Sequence, residues 1–290
     1  MASLKDVKIK IAGVRKTKQI TKAMNMVASA KLRGAQIKIE HFRPYAEKFQ
    51  DVISNLATRS DETVHTLLEE RTNGTSCVFI LITSDRGLCG IFNTMLIIKA
   101  LELAKQKTTE GKKVSFICIG RKGRDAIKKT HYPILSDYSD RFTRDYQLAS
   151  HISGKVIDGY LTVHMDEVIL IYGQFINAMR QIVGLSTLLP IHPKPLDKEQ
   201  LEKKYSEYIY EPGVAILLSE LLPKFVTIQI YRGFLDTDAS ENAARMTAMD
   251  NATRNCDELI GNLTRLYNKT RQASITSELI DIVNGAEALK

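Results

Sequence analysis

Residues 77–90 of the chain read Cys77-Val-Phe-Ile-Leu-Ile-Thr83, followed by Ser84-Asp-Arg-Gly-Leu-Cys-Gly90. The first segment is almost wholly apolar and rich in β-branched side chains, which is typical of a strand buried on both faces of a sheet. The glycines of the second segment favour a turn, and a helical pattern follows over 91–107. The stretch therefore predicts a strand, a tight turn and a helix, the first unit of an α/β domain.

The residues that follow repeat this alternation of short apolar runs and helical patterns. It is typical of βαβ units, so we predict a parallel sheet with helices on both faces over 76–192. A charged stretch comes next, in which 190–213 holds four of the seven prolines, and we assign 193–213 to a linker. The further strands are predicted at 113–119, 132–135, 167–172 and 186–191, and the further helices at 120–130 and 145–163.

The chain before this domain predicts one long helix over 1–58. Ser3 followed three residues later by Asp6 has the spacing of a capping pair, and the first proline is Pro44. Apolar residues recur at steps of three and four, as in a coiled-coil seam, but the seam slips and so predicts a phase break in its middle. Its segments are Leu4, Val7, Ile11 and Val14; then Ile20, Met24 and Val27; then Phe42, Tyr45, Phe49, Val52 and Leu56.

The chain after the linker predicts a second long helix over 214–290, because no proline follows Pro223. Gly233 and a cap at Asp238 leave open a break near 232–238. The remainder carries a sustained heptad seam, which its threonines weaken. The seam positions are Met246, Met249, Thr253, Cys256, Ile260, Leu263, Tyr267 and Thr270.

The two terminal helices are each other's best partners, because a long apolar stripe left unpaired would be an exposed apolar surface. We therefore predict an antiparallel coiled coil of the N- and C-terminal helices, with the parallel-sheet α/β domain inserted between them. The predicted fold class is α/β plus long helices.

Length and composition exclude several classes of protein. The chain has 290 residues, of which 44% are hydrophobic and 26% charged. These values are ordinary for a globular protein and argue against disorder. The apolar runs are shorter than the roughly 18 residues of a membrane span, and no signal or transit segment is visible. The widely spaced cysteines are expected to be buried free thiols; they are Cys77, Cys89, Cys118 and Cys256.

The positive charge of the chain is concentrated near its start. The net charge is +8, and residues 1–40 alone hold ten Lys and Arg against two acids. This indicates an acidic partner, a nucleic acid, an anionic surface or a solvated helix face. A basic coiled-coil protein that binds nucleic acid therefore stays open as an alternative, although no aromatic residue interleaves the positive charges for base stacking.

The sequence holds little catalytic apparatus. A Walker A loop, a G-x-S-x-G elbow and an H-E-x-x-H motif are absent, and the six histidines lie far apart. The turn at 84–90 would lie at the carboxyl end of a strand, where ligands of α/β domains bind. An enzyme that uses an anion or a dinucleotide therefore stays open, but a structural turn that presents Arg86 to a partner is favoured. We expect no catalytic residue, no cofactor and no metal.

The longest motifs stand at the two ends of the chain. The N-terminal motif is Ile9-Lys-Ile-Ala-Gly-Val14 followed by Thr17-Lys-Gln-Ile-Thr-Lys-Ala-Met-Asn-Met-Val-Ala-Ser-Ala-Lys-Leu32. The C-terminal motif covers 240–253 and 266–279. Together with the turn at 84–90, these motifs resemble the gamma-subunit family of the F-type ATP synthase over essentially the whole chain.

This resemblance implies both a fold and a function. In that family the terminal helices form a left-handed antiparallel coiled coil, which is the rotor shaft inside a ring of three alpha and three beta subunits. The nucleotide sites belong to the ring, so the chain itself would be non-catalytic and would couple ion flow to ATP synthesis or hydrolysis by rotation. Its further partners would be the epsilon subunit and the membrane ring of c subunits, with no nucleic acid and no direct membrane insertion.

The resemblance also implies residues that contact partners. Arg271 and Gln272 match a pair that hydrogen-bonds to loops of the ring. Met24 and Arg245 match positions where the shaft meets acidic loops of the beta subunits, and the basic face of the N-terminal helix would face the same acids. The expected partner contacts are Lys18, Lys22, Met24, Arg86, Arg245, Arg271 and Gln272.

Two features of the sequence indicate which members of the family it resembles. Chloroplast members carry an inserted pair of closely spaced cysteines for redox control, and this sequence has no such pair, so redox gating is not expected. A start at Met1 without a transit segment favours a bacterial form, peripheral at the cytoplasmic face of the inner membrane.

Overall fold

The computed structural model of the protein describes residues 4–59, 65–71, 74–139, 143–193, 211 and 213–287. Two compact units form, one of Met1–Ser29 with Arg245–Lys290 and one of Ala30–Ala244. Most of the predicted linker at 193–213 lies outside the described residues, and the predicted domain bounds stay predictions. The helices and strands of the described part are α1 Leu4–Arg59, β1 Ser76–Ile82, α2 Phe92–Thr109, β2 Lys113–Ile119, α3 Arg121–Ile127, β3 Ile134–Asp137, α4 Tyr146–Leu161, β4 Glu167–Phe175, β5 Gln181–Leu189 and α5 Val214–Glu287.

The second unit contains one sheet with the strand order β3-β2-β1-β4-β5. The first four of these strands are parallel, whereas β5 is antiparallel to β4. Only the turn at 176–180 separates these two strands, which is too short for the crossover that a parallel pair needs. Asn177 holds this turn, because its side-chain oxygen accepts the N–H groups of Met179 and Arg180 at 2.9 and 2.8 Å. The predicted fold class is confirmed, with a correction at this edge of the sheet.

The sheet is covered on both faces, as predicted, because β1 sends alternate side chains into two cores. Val78 and Ile80 pack in a core with side chains of α1, α4 and α5. Phe79 and Leu81 pack in the opposite core, mainly with side chains of α2. Burial of each such side chain stabilises the fold by roughly 1.5–3 kcal/mol.

Both long helices continue through a proline. Helix α1 contains Pro44 and α5 contains Pro223. A proline removes one backbone hydrogen bond of a helix, and tertiary packing of neighbours such as Ala46 and Leu222, which are 1% and 0% exposed, holds both helices together.

The possible break of the C-terminal helix near 232–238 is wrong, because α5 continues through these residues. A Cβ at Gly233 would lie 3.0 Å from a Leu170 methyl carbon, so this glycine permits close approach to the sheet.

The predicted phase break in α1 is also wrong. In the first unit the less exposed positions of α1 recur in unbroken steps of three and four, with polar Thr21 and Asn25 keeping the phase. The apolar Ile20 and Val27, which the sequence placed in the seam, are 60% and 56% exposed. The observed seam positions are Leu4, Val7, Ile11, Val14, Lys18, Thr21, Asn25 and Ala28.

The remaining seam predictions have mixed outcomes. In the second unit α1 buries Leu56 and half-buries Phe42 and Phe49, but it exposes Tyr45 and Val52. Every predicted seam position of α5 from 246 to 270 is buried or half-buried, while most positions between them are exposed. The C-terminal seam is therefore confirmed.

Helix α5 also contains an 18-residue window with a mean hydropathy of 1.5, which by length and composition alone could cross a membrane. Within the protein 39% of this window is buried. A core helix passes the same test, and Leu218, Leu222 and Phe234 of α5 lie in the core of the second unit.

Candidate functional site: the paired terminal helices and an exposed turn

In the first unit α1 and α5 run antiparallel and are joined by polar contacts along their seam. Numbers rise along one helix as they fall along the other, as predicted for the terminal pair. The contacts are Lys18 Nζ to Asp257 Oδ1 at 2.5 Å, Thr21 Oγ1 to Thr253 Oγ1 at 2.8 Å, and Asn25 Nδ2 donating to the Met246 carbonyl at 2.8 Å.

These contacts fix the register of the pair more than they add to its stability. The side chains of Lys18 and Asp257 are 35% and 53% exposed, and such a surface ion pair contributes at most about 1 kcal/mol. Thr21 is 9% exposed, so its hydroxyl needs a partner inside the seam. Polar seam residues of this kind specify register and orientation in coiled coils.

Met24 and Arg245 lie at the same level of the helix pair. Each is the neighbour in sequence of a residue in the hydrogen bond from Asn25 to the Met246 carbonyl. Both side chains are half-buried. The structure therefore places these two predicted partner contacts at one level of the helix pair, although they are far apart in sequence.

The other predicted contacts of the first unit differ in exposure. Lys22, Arg271 and Gln272 are exposed. Lys18 is half-buried and is bonded to Asp257. One lysine of the predicted basic face is therefore already paired within the chain.

The last turns of α5 form an exposed apolar tip that the sequence analysis missed. Every described residue from 275 to 287 is exposed. An exposed apolar surface of this kind is typical of an interaction site. The signal was visible, because apolar residues continue after the heptad seam ends. The tip comprises Ile275, Leu279, Ile280, Ile282 and Val283, which are 49–67% exposed.

Arg86 lies in the second unit, in the turn between β1 and α2, and is exposed. The Ser84 hydroxyl donates to the Arg86 carbonyl at 2.6 Å and accepts from Asn93 Nδ2 at 2.7 Å. Asp85 Oδ1 accepts the N–H of Arg121 at 2.9 Å. The turn is thus held in place by a bond within it and by bonds to the first turns of α2 and α3, and Arg86 is exposed on it.

The carboxyl edge between β1 and β4 is the topological switch point of the sheet, where α/β domains bind ligands. Side chains of α5 occupy this crevice. Thr237 and Ser240 bond to the backbone of Gly173 at 3.1 and 3.0 Å, and Asp238 accepts from Arg144 at 2.7 Å. The crevice that a ligand-binding domain would leave open is filled by the chain's own helix, which does not favour the anion- or dinucleotide-using enzyme.

Metal-ligating residues do not gather in the described ranges, where no group of three His, Cys, Asp or Glu could hold an ion. Burial raises the pKa of the Cys77 and Cys118 thiols to about 12, so both stay protonated at neutral pH. Cys89 is also buried, whereas Cys256 is half-buried in the helix seam. The predicted buried free thiols are confirmed for the first three.

The comparison of the chain with known proteins gives its family. A family model described as ATP synthase matches residues 3–289. The ATP synthase gamma chain of Lawsonia intracellularis (strain PHE/MN1-00) is 96% identical over 290 residues, which is 100% of each chain. The chain belongs to the ATP synthase gamma-chain family. The gamma chain of Nitratidesulfovibrio vulgaris (strain DSM 19637 / Miyazaki F) is 58% identical, again over 100% of both chains.

Solved structures have the gamma-chain fold found here. A chain in the central stalk and c-ring structure of the Tetrahymena thermophila mitochondrial ATP synthase is 26% identical, with a TM-score of 0.59, over 80% of this chain and 99% of that one. A chain in the OSCP, F1 and c-ring structure of the Euglena gracilis mitochondrial enzyme is 21% identical, with a TM-score of 0.68, over 99% and 94%. At that identity the second match shows the fold alone.

Membership of the gamma-chain family confirms the resemblance that the terminal motifs carry. It makes the chain a central-stalk subunit of the membrane-associated ATP synthase. Nothing in the comparisons supports the nucleic-acid-binding alternative. The individual partner contacts, from Lys18 to Gln272, stay predictions.

Proposed function

We propose that the chain is the rotor shaft of an ATP synthase and couples ion flow across the membrane to ATP synthesis and hydrolysis, without catalysing either reaction itself. The observation that carries the proposal is the antiparallel pair of terminal helices in the first unit. Its register is fixed by the Thr21–Thr253 contact and its neighbours, and α5 ends in the exposed apolar tip.

A shaft of this kind acts through its angle. Its surface is different on every side, so each nucleotide site of a surrounding ring meets a different face of it. Turning the shaft changes the affinity of each site for nucleotide, and by linkage a change in nucleotide occupancy turns the shaft. The same chain therefore serves synthesis and hydrolysis.

The partners we propose are three alpha and three beta subunits around the helix pair, the epsilon subunit and the membrane ring of c subunits. The excess of positive charge in residues 1–40 favours a partner with acidic loops. The apolar tip needs an apolar partner surface. We place the chain at the cytoplasmic face of a bacterial plasma membrane as a peripheral subunit.

Within this assignment the predicted contacts have separate roles. Met24 and Arg245 meet acidic loops of the beta subunits, and Lys22 faces the same acids. Arg271 and Gln272, on the exposed side of α5, hydrogen-bond to loops of the ring. Lys18 is already paired with Asp257 and therefore adds little charge to this contact. Arg86, in the second unit, contacts a partner.

The test is a pull-down of the tagged chain from gently solubilised membranes, read by subunit stoichiometry and ATPase activity together. We expect one copy of the chain with three copies each of two larger subunits, and loss of coupled ATPase activity when the chain is stripped out. Recovery of the chain alone, or with nucleic acid, would contradict the rotor function.

A further inference from the structure

Strand β4 extends beyond its neighbour β1 at the carboxyl edge of the sheet. The ladder between them ends at the pair of Leu81 and Ile171, and β4 continues past it. The free backbone groups on that side need partners, and α5 supplies them. The N–H of Gly173 donates to Thr237 Oγ1 at 3.1 Å, and the Ser240 hydroxyl donates to the Gly173 carbonyl at 3.0 Å. Both α5 side chains are fully buried.

Arg144 forms a second connection between the sheet and α5. Its guanidinium donates to the Thr83 carbonyl at the end of β1. It also donates to Asp238 Oδ1 at 2.7 Å and to Glu241 Oε2 at 3.4 Å. The next residue in the chain, Asp145, caps helix α4. One side chain, only 11% exposed, therefore links β1, the start of α4 and two successive turns of α5.

The carboxylates around Arg144 stabilise its positive charge. Burial opposes the charge, but Asp238, Glu241 and Asp85 together outweigh this and raise the pKa of the guanidinium. In turn, burial raises the pKa of the Asp238 carboxyl, and Glu241 adds to the rise while Arg144 opposes it. Without the guanidinium, Asp238 and Glu241 would lose the cation that both now contact.

Arg43 forms a third connection, to a position about half a turn around α5 from Asp238. Its Nη2 donates to the Phe175 carbonyl of β4 at 2.8 Å and lies 3.4 Å from Asp236 Oδ1. The Asp236 side chain is 2% exposed, and Arg232 lies 3.8 Å from its other oxygen. This connection joins α1, β4 and α5.

These contacts differ in kind from the apolar packing around them. Apolar burial is non-directional, so it resists separation of a helix from a sheet better than it resists rotation of the helix about its own axis. Hydrogen bonds weaken steeply with angle. A helix that carries torque therefore needs directional contacts as well, and residues 236–241 provide them over more than one side of the helix.

We propose that Arg144 is a positioning residue that fixes the rotational angle of α5 against the α/β sheet, so that torque passes between them without slippage. This inference rests on the proposed function, since only a rotating subunit carries torque. Arg144 acts through Asp238 and Glu241.

The test is the torsional stiffness of the rotor in the assembled complex of this chain with its alpha and beta subunits. A rotation probe is attached to a cysteine at Lys105, an exposed position of α2, in a Cys256→Ser background. The angular spread of the probe is recorded while the shaft is held at a catalytic pause. The Arg144→Gln variant is compared with Arg124→Gln, whose guanidinium is 20% exposed and bonds to Asp137 and Ser139 within the α/β domain.

We expect Arg144→Gln to increase the angular variance by roughly half, because variance is inverse to stiffness and one of the three directional connections of α5 is lost. Arg124→Gln should leave the variance unchanged. A merely structural role would lower the yield of complexes without widening the angular spread of those that assemble. An unchanged variance in Arg144→Gln would overturn the proposal.

Arg144→Lys keeps the inference testable where Arg144→Gln does not assemble. Lysine retains the charge but cannot span the Thr83 carbonyl and the Asp238 carboxylate with a planar fork. We expect Arg144→Lys to have an angular variance between those of the unsubstituted chain and Arg144→Gln. An angular variance equal to that of the unsubstituted chain would overturn the proposal. If the unsubstituted complex itself shows no ATP-driven rotation, the proposed function fails rather than the role of Arg144.

Discussion

The hydroxyl oxygens of Thr21 and Thr253 lie 2.8 Å apart across the pair of terminal helices, although 232 residues separate them in sequence. Each hydroxyl oxygen also lies near a carbonyl of its own helix, Thr21 at 3.0 Å from that of Lys18 and Thr253 at 2.8 Å from that of Met249, so two hydroxyl protons are shared among three contacts. The pair thus pins the register of α1 and α5 at one level of the first unit.

A disulfide should form between cysteines placed at these two positions. In Thr21→Cys with Thr253→Cys, made in a Cys256→Ser background, the two sulfurs would take the places of oxygens that now touch. Mild oxidation should cross-link the chain nearly completely, detected by a mobility shift on non-reducing gels. If both helices turn together, the cross-linked complex should keep its ATP hydrolysis.

The matched control for this cross-link is Ile20→Cys with Thr253→Cys. Ile20 is 60% exposed and points away from the seam, so this pair should stay reduced under the same conditions. Equal cross-linking of both pairs would contradict the observed register. Loss of hydrolysis on cross-linking would contradict rotation of the two helices as one body.

Met24→Lys should impair coupling more than assembly. Met24 is half-buried beside the Asn25–Met246 contact, and a lysine there adds a positive charge at the proposed contact with acidic loops. Proton pumping for each ATP hydrolysed should fall several-fold in inverted membrane vesicles, with the amount of assembled complex unchanged. Met24→Leu, which keeps the apolar volume, should pump normally, and unchanged pumping in Met24→Lys would count against the contact.

Glu167→Gln should destabilise the protein at neutral pH. Burial raises the pKa of Glu167, but hydrogen bonds from Lys112 and Lys107 at 2.6 and 2.9 Å outweigh it and lower the pKa below 4.5. A lowered carboxyl pKa contributes stability that is present above pH 4.5 and is lost as the pH falls through the folded-state value. Urea unfolding should show a free energy of unfolding that is lower by about 1.5–3 kcal/mol at neutral pH and by less at the acidic end.

The matched control is Glu102→Gln. Glu102 is 62% exposed in its pair with Lys99, and an exposed pair one helical turn apart contributes about 0.5 kcal/mol or less. If the loss of unfolding free energy in Glu167→Gln stayed constant down to acidic pH, the lysine pair would not lower the pKa of this carboxyl.

Gly173→Ala should destabilise the second unit by about 1–3 kcal/mol through overpacking. A Cβ at Gly173 would lie 2.5 Å from a ring carbon of Phe92 and 3.3 Å from Ser240 Cβ. Gly261→Ala is the same chemical change on an exposed turn of α5 with no neighbour within 4 Å. It should stabilise by roughly 0.5–1 kcal/mol. Thermal unfolding of both variants would measure the difference, and equal shifts would contradict the tight packing at Gly173.

Much of the fold could be predicted from local sequence. The C-terminal seam from Met246 to Thr270 was correct at each position, because apolar side chains there do face the partner helix. The N-terminal seam was not, since Thr21 and Asn25 occupy it while Ile20 lies outside it. Periodicity of apolar residues finds a seam only where apolar residues fill it.

The candidate site divides in the same way. Exposed residues such as Lys22, Arg271 and Gln272 could be named from motifs alone. Two other features depend on the register of two segments from opposite ends of the chain. They are the level shared by Met24 and Arg245 and the pairing of Lys18 with Asp257. No local pattern encodes that register.

The sequence by itself determined the two long helices, the βαβ domain between them and the family, because helix and strand periodicity and long motifs are properties of consecutive residues. Only the tertiary structure decided that β5 is antiparallel, that α1 keeps one phase, and that Arg144 connects β1 to α5. These features depend on which distant groups must satisfy one another's hydrogen bonds and charges once water is excluded.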